Sequence, residues 1–446
     1  MSATAARSTG SRILLVIAII VGLILLVSLG SWLWYRSHPA TLVEAPPGVL
    51  AVLTRPIPDG PEAGLLRRGR YLATAGDCVS CHTRAGGLPF TGGRGLRTPF
   101  GVIYSPNLSG SADGIASWTP DQFFRAMHDG IDNDGNHLYP AFPYTHFTVV
   151  SRADSYAILA WLKTVPGDAS TAAANRLPFP LDLRPVMLVW NALNFSPHGL
   201  AANHAQPASW NRGAYLVEGL GHCGACHSPK TILGADDSSH AYLGGKLDNW
   251  LAPDLTGNKR TGLGSWSHQD IVDYLKYGRG ARSNAAGPMA EVVTYSTSLM
   301  SDADLAAIAI YLETLTPSAD MTASPPAAVA MRAGGAIFSD ACTACHREGG
   351  VGSARLFPPL AGSAAVQQVD PTSVIRLILA GGRTGPTLAR PSALSMPSFA
   401  WKLDDQQVAD VATYARNSWG NHAPPVSADQ VADLRRQLGL LTAMRR

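Results

Sequence analysis

The sequence predicts an all-α chain: three tandem helical domains behind one N-terminal transmembrane helix. Three observations predict it. An uncharged run extends from Ile13 to Tyr35. The 6 cysteines fall into pairs of identical internal spacing. Downstream of each pair, apolar residues recur at intervals of three and four, the period of an amphipathic helix. A length of 446 residues agrees with about three domains. With 46% hydrophobic and 15% charged residues, disorder, a coiled coil and a polytopic transporter are excluded. The net charge of +3, with no basic stripe before the final residues, excludes a nucleic-acid binder.

The run Ile13–Tyr35 comes first. At 1.5 Å per residue it reaches about 35 Å, enough to cross a hydrocarbon core of about 30 Å with some tilt. Trp32, Trp34 and Tyr35 mark its outer end, where amphipathic rings favour the headgroup level. Arg7 and Arg12 precede it and no acid does, so the N-terminus is expected in the cytoplasm and the body in the periplasm. A cleaved signal peptide would have a shorter apolar region and a small-residue cleavage site. The expected organisation is residues 1–38 N-terminus and anchor, 39–65 linker, 66–166 first domain, 167–209 connector, 210–316 second domain, 317–331 linker, 332–420 third domain and 421–446 amphipathic tail.

The cysteines read CVSCH (Cys78, Cys81, His82), CGACH (Cys223, Cys226, His227) and CTACH (Cys342, Cys345, His346). Cys-x-x-Cys-His is the attachment pattern of c-type haem: two thiols add to the vinyl groups and the adjacent His ligates the iron. A structural zinc needs two such pairs close together, and these are far apart in the chain. A thioredoxin-like pair belongs in an α/β pattern, which is missing. Disulfides leave the His after every pair unexplained. The lead-ins RRGRYLATAGDCVSCH, NRGAYLVEGLGHCGACH and RAGGAIFSDACTACH repeat as well. Each motif is followed by two helical runs: Asp121–Gly130 and Ser151–Thr164, His268–Gly278 and Ser301–Leu315, Pro371–Gly381 and Asp404–Trp419. Loops between them read as glycine-rich and poor in strands.

Electron-transfer haems take a second axial ligand from the loop before the last helix, often Met, which raises the potential. Met396, followed by Pro397, holds that position in the third domain, and Met289, after Pro288, in the second. Met300 stands at the helix start, late for the iron. The first domain departs from the pattern, because its loop HLYPAFPYTHF places Phe142 where Met is expected. His146, four residues further along the same loop, is the expected ligand. Met127, His128 and His137 are the other donors in that domain, and an open iron is the remaining alternative. Bis-His ligation would set this haem below the Met-ligated pair in potential.

RGRYLATAGDCVSCHT, TPFGVIYSPNL, HLYPAFPYTHF, AGPMAEVV and SMPSF together resemble the triheme cytochrome c subunit of membrane-bound periplasmic dehydrogenases of proteobacteria, notably acetic acid bacteria. The resemblance implies three tandem cytochrome c domains at the inner membrane. It also implies electrons received from a catalytic subunit and passed to ubiquinone or a terminal oxidase. In the cytochromes of quinoprotein (PQQ) alcohol dehydrogenases and FAD-dependent gluconate or sorbitol dehydrogenases, the first loop usually resembles YPAMPY. YPAFPYTHF is closer to those paired with molybdopterin and 2Fe-2S (iron–sulfur) dehydrogenases acting on aldehydes or N-heterocycles, so a molybdopterin aldehyde dehydrogenase is the favoured partner.

The chain itself carries no hydrolytic triad, phosphate loop or paired-carboxylate site, and GGLPFTGGRG reads as a haem-covering loop. A subunit without its own substrate chemistry is the leading expectation. The rival is a peroxidase-like enzyme using an open first haem, and a mere membrane tether is the third class. At the end of the chain, Val431, Leu434, Leu438 and Leu441 share a helical face, beside Arg435, Arg436, Arg445 and Arg446. Such a helix either lies on an anionic membrane or a partner, or packs on the third domain.

Overall fold

One succession of elements is repeated along the chain: a helix, a helical turn carrying the Cys-x-x-Cys-His motif, a long loop, a second helix, a returning loop and a last helix. The computed structural model describes residues 48–169 and 173–440, together with Leu15, Gly22, Leu26 and Gly30. Those last four are helical. The rest of the expected span Ile13–Tyr35 lies outside the described residues, and among the described residues no helix is long and apolar enough to cross a membrane.

In the first unit the helices are Ala63–Ala75, Pro120–Asp129 and Arg152–Leu162. In the second they are Ala208–Ala214 continuing into a π-helical stretch Tyr215–Leu220, then His268–Tyr277 and Asp302–Leu312. In the third they are Ala328–Ala341, Thr372–Ala380 and Asp405–Asn417. Their starts are chemically marked. Ser151, Ser301 and Asp404 each accept a hydrogen bond from the backbone N–H three residues on, satisfying a donor that the helix leaves free. The middle helices of the first two units end at Gly130 (φ 66°) and Gly278 (φ 64°), left-handed positions where glycine has no Cβ penalty. The loops are less irregular than the sequence predicts. Short antiparallel hairpins pair Gly95–Thr98 with Gly101–Tyr104, Gly245–Leu247 with Trp250–Ala252, and Gly382–Arg383 with Ser395–Met396. The Pro-rich connector also carries a helix, Val186–Asn194, held by buried Met187 and Trp190.

In every unit the first and last helices pack on each other more extensively than on any other element. A glycine makes this possible each time. A Cβ on Gly69 would stand 1.8 Å from the Ala157 carbonyl oxygen, one on Gly213 2.0 Å from that of Ala307, and one on Gly334 2.1 Å from that of Asp410. The aromatic residue one turn further on, Trp161, Tyr311 or Tyr414, closes the same crossing. Cys78 follows Gly69 by nine residues and Cys223 follows Gly213 by ten. The second unit absorbs its extra residue as the π-helical turn, a common way for a helix to take an insertion without losing its packed face.

The first two units share one apolar core, which runs from Val49 and Leu72 through Phe123 and Trp161 to Leu216, Ile271 and Leu312. Across it lies a reciprocal pair of clamps. Tyr71 of the first unit donates its hydroxyl hydrogen to Asp304 Oδ2 at 2.6 Å and accepts from the Ser301 N–H. Tyr215 of the second donates to Asp154 Oδ2 at 2.6 Å and accepts from the Ser151 N–H. Each carboxylate also accepts from an arginine of its own unit, Arg212 to Asp304 at 2.8 Å and Arg68 to Asp154 at 2.7 Å. Each first helix thus supplies a side chain to the N-terminus of the other unit's last helix.

The third unit has its own core around Phe338, Ile375, Leu379 and Val408. Its contacts with the second are largely polar: Ser373 with the Leu251 backbone, Arg376 over the Trp250 ring at 4.6 Å, and Arg355 with Asp273 at 3.3 Å. Arg416 is wholly buried and donates to the carbonyls of Val366, Gln368 and Pro424. Burial lowers its pKa to about 10. The tail helix Ala428–Gln437 packs on this unit. Val431 and Leu434 are buried against its core, and Arg435 reaches Asp405 at 2.7 Å and the Ala400 and Leu403 carbonyls. Of the two sequence readings of the tail, the described part follows the packing one, while residues 441–446 lie outside the described residues.

Gly213→Val is expected to lower the unfolding temperature sharply. The overpacked crossing should cost at least about 2 kcal/mol, while Gly64→Ala, with nothing within 4 Å of the new methyl, should be neutral or slightly stabilising. Thermal melts of both variants check this. The clamp predicts a pH dependence. Burial raises the Asp304 pKa, but hydrogen bonds from Arg212 and Tyr71 outweigh it and hold the carboxyl below its ordinary 3.8. A depressed pKa contributes stability that is complete above the ordinary value and is lost as pH falls through the lower, folded one. Asp304→Asn should therefore cost about 3 kcal/mol near neutrality, and the gap to wild type should close under strongly acidic conditions in pH-dependent melts.

Candidate haem sites

Each Cys-x-x-Cys-His motif is wound into one helical turn, at Cys78–Cys81, Cys223–His227 and Thr343–His346. The His82 N–H donates to the Cys78 carbonyl at 3.1 Å, and the His346 N–H to that of Cys342 at 2.9 Å. This winding brings both thiols and the imidazole of a motif to one short segment. Left-handed residues, Asp77 (φ 48°) and His222 (φ 35°), turn the chain into the first two motifs.

The three imidazoles share one arrangement. His82 Nδ1 lies 2.8 Å from the Pro106 carbonyl oxygen, His227 Nδ1 2.7 Å from that of Pro253, and His346 Nδ1 3.0 Å from that of Pro358. A carbonyl only accepts, so Nδ1 carries the proton and Nε2 keeps its lone pair. Burial lowers the pKa of all three rings, to about 4 for His82, although the proline carbonyls oppose it. Neutral imidazoles with fixed tautomers and free Nε2 atoms are what a haem iron requires. Burial, with Asp77 adding to it, pushes the Cys78 and Cys81 thiols up to about 12, and burial takes Cys223 to about 12 and Cys342 to about 11. Two thiols and one neutral imidazole on a single helical turn fit covalently attached haem.

The proline partners were not anticipated from the sequence, yet a signal exists. SPNL, APDL and PPL each hold Pro-x-Leu, at Pro106 and Leu108, Pro253 and Leu255, and Pro358 and Leu360. The Gly-x-Tyr of the first two lead-ins, Gly69 with Tyr71 and Gly213 with Tyr215, likewise encodes the helix crossing and the clamp together.

On the returning loops, equivalent positions can be assigned from the backbone. The Leu138 N–H donates to the Gly130 carbonyl and the Ala285 N–H to that of Gly278. Phe142 and Met289 each stand four residues beyond that bond. Met289 is half-buried, at the start of the helix Pro288–Tyr295, whereas Met300 is buried in the shared core. In the third unit Met396 pairs with Gly382 in the small hairpin, and Gly381 (φ 75°) lets the Met396 carbonyl come within 2.5 Å of where a Cβ would be.

His146 departs from its expected place. The turn Tyr144–Phe147 packs on the π-helical stretch of the second unit, and the ring follows it there. Its Nε2 is 2.8 Å from Asp236 Oδ2 and its Nδ1 3.1 Å from the Glu218 carbonyl oxygen. A Cβ on Gly224, inside the second motif, would meet the His146 ring at 2.9 Å. Both nitrogens are engaged with the second unit, so this arrangement does not present His146 as a partner for His82. His128 Nδ1 is 2.7 Å from Asp129 and its ring stacks on Phe124, and His137 Nδ1 is 3.0 Å from the Asn191 amide. Met127 is buried in the core, three residues before Gly130, as Leu275 stands before Gly278.

Helices crossed at a glycine, a Cys-x-x-Cys-His turn and a histidine anchored through Nδ1 define a c-type cytochrome. The cytochrome c family profile matches residues 211–316 and 331–419. A gluconate 2-dehydrogenase cytochrome c subunit of Pantoea cypripedii is 40% identical over 401 residues, covering 83% of this chain and 90% of that protein. The cytochrome c subunit of the alcohol dehydrogenase (quinone) of Gluconobacter oxydans (strain 621H) is 39% identical over 402 residues, 84% of this chain and 83% of that one. A nicotinate dehydrogenase subunit of Pseudomonas putida is 38% identical over 384 residues, which are 84% of this chain and 32% of a much longer protein. The chain belongs to the family of cytochrome c subunits of dehydrogenases.

Proposed function

We propose that this chain carries electrons from a periplasmic dehydrogenase to ubiquinone through three covalently bound haems c, one in each unit, and is held at the inner membrane by Ile13–Tyr35. The observation that carries the reading is the threefold repetition of a Cys-x-x-Cys-His turn whose histidine is fixed by a proline carbonyl. The first unit, outside the matched segments, repeats the helix order and this hydrogen bond, which supports a cytochrome c domain there too. Bound haem supplies one-electron exchange at iron. The residues of the chain hold it: Cys78, Cys81, Cys223, Cys226, Cys342 and Cys345 as thioether anchors, and His82, His227 and His346 as proximal ligands. Met289 and Met396 are the distal ligands of the second and third haems, on loops that end against Gly278 and Gly381.

For the catalytic partner, we favour a molybdopterin and iron–sulfur dehydrogenase acting on aldehydes or N-heterocycles. The loop YPAFPYTHF supports this, and so does the likeness to a nicotinate dehydrogenase, an N-heterocycle enzyme by its name. The second reading, a PQQ alcohol dehydrogenase or FAD gluconate dehydrogenase partner, is favoured by the names of the gluconate and alcohol relatives. Purifying the intact complex separates them. Pyridine haemochrome assay should give three covalent haems per chain, and elemental analysis should find molybdenum. Released PQQ or flavin would select the second reading, and failure to reduce a ubiquinone analogue would remove ubiquinone as acceptor.

Met396→Ala should keep three covalent haems, since the anchors are untouched. Loss of the thioether, which favours Fe(II), should lower the midpoint potential of one haem in a redox titration and make that haem reactive to CO. An unchanged titration would show that Met396 is not the distal ligand.

A further inference from the structure

We infer that the iron held by His82 has no protein ligand on its opposite face, and that this face binds a small exogenous ligand such as CO or cyanide. The inference rests on reading Cys78–His82 as a haem-attachment motif. Two independent observations carry it.

The first is register. Counted from the hydrogen bond that closes the loop onto Gly130, Phe142 takes the place that Met289 holds relative to Gly278. Phe142 is half-buried and packs edge against the core, with its ring 5.3 Å from that of Phe147. A phenyl ring covers an iron without coordinating it. The second observation is the placement of the donors on this loop and beside it. His146 has turned away to Asp236 and the Glu218 carbonyl, and its position is fixed further by the close approach of Gly224. The His128 ring is stacked on Phe124, and His137 is held in the connector's cluster, its carbonyl accepting from Arg184 and its ring beside the Asn191 amide. The hydroxyl of Tyr144 donates to Asn191 Oδ1 at 2.6 Å. Met127 fills a core position, and Met187, the remaining sulfur in the neighbourhood, is buried in the connector's own cluster with Tyr139, Tyr144 and Trp190. Met127, Phe142 and Phe147 make the surroundings apolar, which suits a small neutral ligand to Fe(II).

The test uses the full chain with its haems attached, and the probes are CO on the reduced protein and cyanide on the oxidised one. Wild type should bind one CO for every three haems and show one high-spin haem in its magnetic circular dichroism. Phe142→Met should convert that haem to low spin and reduce CO binding at least tenfold. His146→Gln should leave both the spin state and the CO stoichiometry as in wild type. Three low-spin haems and no CO uptake in the wild type would overturn the inference, and His146→Gln and Met187→Leu would then identify the donor. If Phe142→Met loses its first haem, the wild-type stoichiometry still decides. A haemochrome count below three in the wild type would instead overturn the reading of the motif itself.

Discussion

The structure depends on a backbone-to-backbone approach at three glycines. Gly69, Gly213 and Gly334 let the first helix of each unit lie against the carbonyls of the last, at a distance no side chain permits. Closed interiors are as densely packed as organic crystals, so a crossing that cannot close leaves the whole interior loose. The crossing also fixes where the Cys-x-x-Cys-His turn begins, because the motif follows the same helix. The one-residue difference between the first two units is taken up by a π-helical turn in the second, and its glycine stays in the crossing.

The proline carbonyls perform the corresponding service for the imidazoles. A histidine free to rotate offers either nitrogen, but one held through Nδ1 offers only Nε2. All three units use the same type of bond, although the Pro follows the His by different distances along the chain: 24, 26 and 12 residues. Keeping the bond while varying the loop separates two tasks. The loop is free to shape the surface around a haem edge, and the bond keeps the iron ligand in place.

Much of this was legible in the sequence, and the reasons differ by element. The helices Arg152–Leu162, Asp302–Leu312 and Asp405–Asn417 were readable because periodicity and a capping Ser or Asp agree at each start. The motifs were readable because covalent chemistry demands adjacent residues. The placement of His146 was not, because a loop position fixes distance along the chain but not the direction of a ring. That direction is set by packing of Tyr144–Phe147 on the second unit, a contact between segments about 70 residues apart with no local signature. The merging of two units into one core was hidden for the same reason, since each unit taken alone shows the apolar pattern of a separate domain.

The reciprocal clamps bear on how the chain is made. Asp154 and the N-terminus of Arg152–Leu162 belong to the first unit, but the tyrosine that satisfies them, Tyr215, is translated 61 residues later. Tyr71, made early, finds Asp304 only after a further 233 residues. During synthesis the first unit therefore emerges with a buried-to-be carboxylate still facing water, and it completes its bonds only when the second arrives. The third unit has a core of its own and is tied to the second by bonds such as that from the Gln368 amide to the Thr261 carbonyl. Biogenesis consequently meets the polypeptide as unequal parts: a leading pair that completes one interior jointly, and a trailing unit that encloses an interior of its own.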